Sequence, residues 1–147
     1  MSNAHQDSRN VTAVKEYFIR GDTGRADLFD LFTEDFQFYF PKFGVGRGKA
    51  EFTELATKLL GTLKSISHDI DAMKFFEGPD FIVVEGTTDG EYGDGTRWSG
   101  GKTSGGRYCS VFEFRDDGLI ERMHIYLDPD YAGHDSDRFL WGTNRTW

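Results

Sequence analysis

His68 is the side chain in this chain best suited to move a proton. It stands in SISHDIDAM, where Ile66, His68, Ile70 and Ala72 share one face of an alternating run and Ser67, Asp69 and Asp71 share the other. An imidazole in the apolar row of a strand is either a general base aimed into a cavity or a core histidine held by one hydrogen bond; its ordinary pKa near 6.5 suits proton transfer at neutral pH. His124 and Asp128 lie four apart on a later apolar run, with Tyr126 between them on the same face. Such a pair could form an oriented base. With Met123, Ile125 and Leu127 facing the core, however, His124 and Asp128 fall on the outer face in a structural role. Cys109 lacks a visible base, alternates away from Ser110, and reads as an inert buried thiol. Arg107 could hold an anionic group or pair across a strand with Asp or Glu. Trp98, inside the glycine-rich GEYGDGTRWSGGKTSGG, is a lid residue over a pocket or a surface anchor.

Several chemistries lack their signatures. The four histidines, His5, His68, His124 and His134, show no HxH or HxxxH spacing, so no metal site is expected. GVGRGK lacks the spacing of a phosphate loop, and there is no Gly-x-Ser-x-Gly elbow. We therefore expect no cofactor.

The elements that must position these residues follow from periodicity. Val11, Val14, Tyr17 and Phe18 predict a helix from about Asn10 to Arg20, capped by Ser8 or Asn10 and ended by Gly21. Leu28, Leu31 and Phe32 predict a second short helix stopping near Thr33. FQFYF is a strand closed by Pro41, and KFGVGRG a glycine-rich loop. Phe52, Leu55, Ala56, Leu59, Leu60 and Leu63 make the apolar stripe of a third helix. After SISHDIDAM, a turn at Glu77 to Asp80 leads into the strand FIVVEGTTDG. RYCSVFEF and LIERMHIYLD flank Asp117-Gly118, the signature of a hairpin with a type I′ turn. The order is helix, helix, strand, helix, then four strands, which predicts an α+β domain with helices over one face of an antiparallel sheet.

The 147 residues fit one domain with a full core. The net charge of -8 argues against nucleic acid, which needs a basic face. Aromatic residues make up 16%, enough to fill a core or to line a cavity as well. One cysteine permits no intrachain disulfide and fits a reducing compartment. With a polar N-terminus and no apolar run of membrane length, a cytoplasmic protein with no membrane partner is expected. Residues 1–9 read as a frayed end, partly left from expression, residues 10–130 as the domain, and residues 131–147 as a tail packing on the domain or on a second subunit through Tyr131, Phe139, Trp141 and Trp147.

VKEYF, LFTEDF, a short strand, an amphipathic helix and VFEFRDDGLIERMHIYLD together resemble the nuclear transport factor 2-like superfamily over about Asn10 to Pro129. The nearest branch is SnoaL-like, related to ketosteroid isomerases and polyketide cyclases. The resemblance implies a cone-shaped α+β barrel, a bent antiparallel sheet wrapped around the N-terminal helices, with an apolar cavity at its open end. It also implies a homodimer through the sheet and a small hydrophobic or aromatic organic ligand. In ketosteroid isomerases a first-helix Tyr hydrogen-bonds the developing enolate, and Tyr17 matches it; its alternative is a core tyrosine with a satisfied hydroxyl. The carboxylate base of those enzymes corresponds to Phe40, and their protonated carboxyl to a position near Ser110. The acidic residue of the cyclases corresponds to Ile125. The expected site is thus His68 as base and Tyr17 as oxygen partner, with Phe40, Trp98, Ser110 and Ile125 shaping the pocket. The expected function is that of a cofactor-independent isomerase, cyclase or dehydratase. Apolar residues at the carboxylate positions keep open a non-catalytic ligand-binding module, or a dimeric interaction module whose cavity is filled by its own aromatics.

Overall fold

Ser8 starts the first helix, because its hydroxyl accepts from the Val11 N–H at 3.1 Å and satisfies one of the open donors of the first turn. In the computed structural model, which describes residues 6–103 and 105–135, this helix, α1, spans Arg9–Asp22. It runs through Gly21, two residues past the expected end. The second predicted helix is one 3-10 segment, Ala26–Leu31, and Phe32 and Thr33 already belong to strand β1, Phe32–Phe40. Pairing of Phe32 with Ile120 outweighs helical continuation there.

The glycine-rich segment after Pro41 is not a loop throughout. Gly44–Arg47 forms β2 against β1 and leads directly into α2, Gly48–Leu60. Phe52 and Leu55 are buried by α2, while Leu60, placed in the same stripe by spacing, is exposed. Strand β3, Leu63–His68, ends at the imidazole. The alternation beyond it is not a strand, because the Asp69 carboxylate accepts from the Ala72 N–H and turns the chain. Then follow β4 (Lys74–Glu77), β5 (Phe81–Tyr92), β6 (Arg97–Trp98), β7 (Arg107–Phe114) and β8 (Ile120–Leu127).

The sheet order is β2-β1-β8-β7-β5-β3, with β4 and β6 also on β5. Pairing is antiparallel except between β1 and β8, which run parallel. This is a curled α+β sheet with the N-terminal helices against its inner face. The β7–β8 connection differs from the expected type I′ turn. Among residues 116–118 only Gly118 has positive φ, at 86°, and its N–H reaches the Arg115 carbonyl, as in a three-residue loop with a bulge.

Phe36, Phe112, Ile82, Ile120, Met123, Val14 and Val84 fill the centre of the core. Phe32, Phe36, Phe38 and Phe52 pack ring against ring at centroid distances of 4.3 to 6.4 Å. Burying one such ring is worth about 1.5–3 kcal/mol. These rings pack α2 against β1, and Phe52 also borders an inner cavity. Among the described residues, no helix is long and apolar enough to cross a membrane.

Candidate functional site

Between the N-terminal helices and the inner sheet face lies a cavity of about 420 Å³, lined mainly by apolar side chains of α1, the 3-10 segment, α2 and the inner sheet face. Tyr17, Phe40, His68, Ser110 and Ile125 all line it. Each comes from a different local rule. Tyr17 sits on the inner stripe of α1. Phe40 ends the inner row of β1. Ser110 and Ile125 are direct partners across the β7–β8 pair, so one wall carries both.

Asp22 organises the site. One carboxylate oxygen accepts from His68 Nδ1 at 2.7 Å and the other from the His68 backbone N–H at 2.8 Å. A carboxylate only accepts, so Nδ1 carries a hydrogen, and in the neutral tautomer this leaves the Nε2 lone pair available. No described protein group bonds Nε2. The ring is held between Phe18, at 4.6 Å between centroids, and Tyr108, at 5.2 Å. An imidazole gripped at one nitrogen and walled on both sides has a single orientation, which is what a proton-transfer group requires.

Three phenols face the same space: Tyr17, Tyr108 and Tyr131. Burial is the main cause that pushes each above the ordinary value of 10; Asp22 adds to the effect at Tyr17 and Tyr108, and Tyr92 at Tyr131. All three therefore stay neutral O–H donors at physiological pH. Among the described residues, the Tyr108 hydroxyl and Ser110 Oγ are buried without a protein hydrogen-bond partner. Each such group costs about 1–3 kcal/mol relative to a satisfied one.

Trp98 does not line the cavity. It is buried behind the wall, where its indole N–H donates to Thr88 Oγ1 at 3.0 Å and its ring stacks on Tyr131 at 4.8 Å. A residue so fixed cannot be a lid, so the sequence expectation for Trp98 is corrected: it backs the wall that Thr88 and Tyr131 present. Arg107 points elsewhere too, donating to the Gly101 carbonyl. Cys109 is half-buried on the outer face, and burial, with Glu85 second, raises its thiol pKa. His124 is on the outer face as expected, yet buried, against Gln37 and Arg122. Asp128 lies beyond β8 and accepts from the Asp130 N–H. Phe139, Trp141 and Trp147 lie outside the described residues. Among the described residues no group of three or more His, Cys, Asp or Glu side chains could hold a metal.

Sequence reasoning missed Asp22, Tyr108 and Tyr131 as cavity residues. Asp22 stands four after Phe18, a helical spacing hidden by ending the helix at Gly21. Tyr108 shares the alternation of Ser110. Tyr131 sits in an aperiodic segment that carries no such signal.

A curled α+β sheet wrapped around N-terminal helices, with an apolar cavity on its inner side, defines a nuclear transport factor 2-like domain. The chain belongs to the SnoaL-like domain family, whose model matches residues 11–123. An NTF2-like protein from Anabaena variabilis is 21% identical, with a TM-score of 0.68 over 90% of this chain and 100% of that one. TerC, co-crystallised with polyporic acid, is 20% identical, with a TM-score of 0.68 over 82% of this chain and 92% of its own. A candidate polyketide cyclase from Xanthomonas campestris is 17% identical, with a TM-score of 0.69 over 82% and 90% of the two chains. No curated protein matches the sequence significantly.

Proposed function

We propose that the chain is a cofactor-independent acid–base enzyme, an isomerase, cyclase or dehydratase, acting on a small and largely apolar carbonyl compound. The observation that carries this reading is the Asp22 carboxylate engaging both His68 Nδ1 and the His68 backbone N–H at the cavity. His68 Nε2 takes a proton from the carbon next to the carbonyl. The C–H electron pair moves toward the carbonyl oxygen, and the Tyr17 phenol hydrogen-bonds the enolate that forms. The imidazolium is balanced by Asp22 and returns its proton to another atom of the substrate. The Asp22–His68 pair replaces the carboxylate bases whose positions here hold Phe40 and Ile125.

The second reading is a ligand-binding module without turnover, favoured by those same two apolar residues. Deuterium uptake separates the two. Small aryl ketones are incubated with the protein in D2O, and exchange next to the carbonyl is followed by NMR. The enzyme reading predicts protein-dependent exchange that falls at least about a hundredfold in His68→Gln and substantially in Asp22→Asn. Exchange that persists in His68→Gln removes the proposed base, and binding without exchange supports the module.

A further inference from the structure

The segment after β8 brings one phenol to the cavity and is tied down on every side to do so. The Tyr92 hydroxyl donates to the Pro129 carbonyl at 3.3 Å and accepts from the Tyr131 N–H at 3.2 Å. The Thr103 hydroxyl reaches the Tyr131 carbonyl at 2.7 Å. The Asp130 carboxylate accepts from the N–H groups of His134 and Asp135 and closes the turn beyond. Gly105 makes room for the chain, because a β-carbon there would overlap the Asp130 carbonyl and the Tyr131 Cα. The Tyr131 ring stacks on Trp98, which is itself held to Thr88. The Tyr108 and Ser110 oxygens are sealed in the wall. Among the described residues, the Tyr17 and Tyr131 hydroxyls are neither sealed nor bonded to a protein group, and both side chains line the cavity. Burial first, then Asp22, then the Tyr131 phenol hold the Tyr17 hydroxyl in its neutral form, so the two phenols lie within electrostatic reach of each other.

We propose that Tyr131 is a further catalytic residue, whose phenol donates a hydrogen bond beside that of Tyr17 to the substrate oxygen on which negative charge develops. The proposal rests on the reading of the cavity as a proton-transfer site. An enolate oxygen accepts more than one hydrogen bond, and a single donor leaves part of its charge unserved in an apolar cavity. No proton leaves either phenol: the C–H proton goes to His68 and the electron pair to the oxygen, which the two O–H groups hold. Donors of this kind act by being in place before the charge forms. The clamped backbone and the stacked ring of Tyr131 meet that requirement from a segment without regular structure. The functional unit therefore extends past β8, and its second donor stands 114 positions after its first in the sequence.

The test compares two ligands of one bicyclic frame by calorimetry, in the wild type and in Tyr131→Phe. The first is 1-tetralone, a neutral ketone. The second is 4-nitro-1-naphtholate, whose planar frame and anionic oxygen mimic the enolate of 1-tetralone. The wild type binds the naphtholate more tightly than the ketone. Tyr131→Phe weakens the naphtholate about tenfold or more and the ketone by less than about threefold, because hydrogen bonds to a charged oxygen are the stronger ones. In the deuterium-exchange assay the same variant lowers kcat about tenfold to a hundredfold with KM within about threefold. Absence of naphtholate binding by the wild type, a naphtholate affinity in Tyr131→Phe within about twofold of the wild type, or equal losses for both ligands overturns the proposal. A melting temperature several degrees lower in Tyr131→Phe assigns the hydroxyl to the fold and overturns it too. The two readings fail separately. Exchange that is intact in Tyr131→Phe removes Tyr131 and leaves His68 as base. A naphtholate gap without exchange in the wild type keeps the two-phenol oxygen site and removes turnover.

Discussion

Asp22 and His68 come from different elements: the last residue of α1 and the last residue of β3. Their contact ties helix to strand through two hydrogen bonds, one of them to backbone. The imidazole is thereby fixed in tautomer and direction without a second carboxylate. Ketosteroid isomerase-like proton transfer needs a base near a carbonyl and a donor at its oxygen. In the proposed reaction the base would be the oriented His68 imidazole, and the donors would be phenols that burial keeps protonated. Cys109 does not compete as a nucleophile, since burial raises its thiol pKa and it lies on the other sheet face.

The segment after β8 is the element that completes the cavity, although it has no regular secondary structure. Tyr131 is held at its N–H by the Tyr92 hydroxyl at 3.2 Å and at its carbonyl by the Thr103 hydroxyl at 2.7 Å, and its ring stacks on Trp98. A wall so anchored is part of the folded domain, not a loose tail. Tyr131→Ala is therefore expected to cost about 3 kcal/mol in urea unfolding, and Tyr131→Phe well under 1 kcal/mol. A loss below about 1 kcal/mol for the alanine variant would show that the ring is not packed as described. This element also marks the limit of what patterning reveals. Alternation identified β1, β5, β7 and β8, and the apolar stripe identified α2, because each buries one repeating face. The short strands β2, β4 and β6 carried too few residues for a period, and β2 and β6 sit among glycines. The cavity-lining positions of Tyr17, Phe40, Ser110 and Ile125 followed from resemblance to a family. Asp22 did not, since its partner lies 46 residues away. The glycine-rich setting of Trp98 suits a lid or a surface anchor, whereas burial against Thr88 and Tyr131 decides its place.

At the scale of the molecule, the inner sheet face carries the cavity and the outer face carries a polar network around His124. Gln37 donates to His124 Nε2 at 2.8 Å, and its own carbonyl accepts from Arg47. The Arg122 guanidinium lies 3.1 Å from Nδ1, and the Tyr126 hydroxyl 3.4 Å. Tyr39 packs against the ring, and Glu113 is paired with Arg122. Burial first, then Arg122, lowers the His124 pKa below its ordinary 6.5, with Glu113 opposing. Between the lowered folded value and about 6.5, the unfolded chain binds more protons than the folded one, so stability rises with pH through that window and falls on acidification. In His124→Gln this part of the acid sensitivity disappears. Melting temperatures from pH 7.5 down to 5 are expected to fall less steeply in the variant, and parallel profiles would remove His124 as a cause.

The central claim is that Asp22 presents His68 to the cavity as a base with Nε2 free. Long-range hydrogen–nitrogen NMR of the imidazole side chains at neutral pH tests it most directly. The account predicts that neutral His68 carries its hydrogen on Nδ1, that Nε2 shows the unprotonated resonance, and that adding an aryl ketone shifts Nε2 while Asp22→Asn disturbs the tautomer. A His68 protonated on Nε2, or a ring indifferent to both ligand and Asp22→Asn, would contradict it.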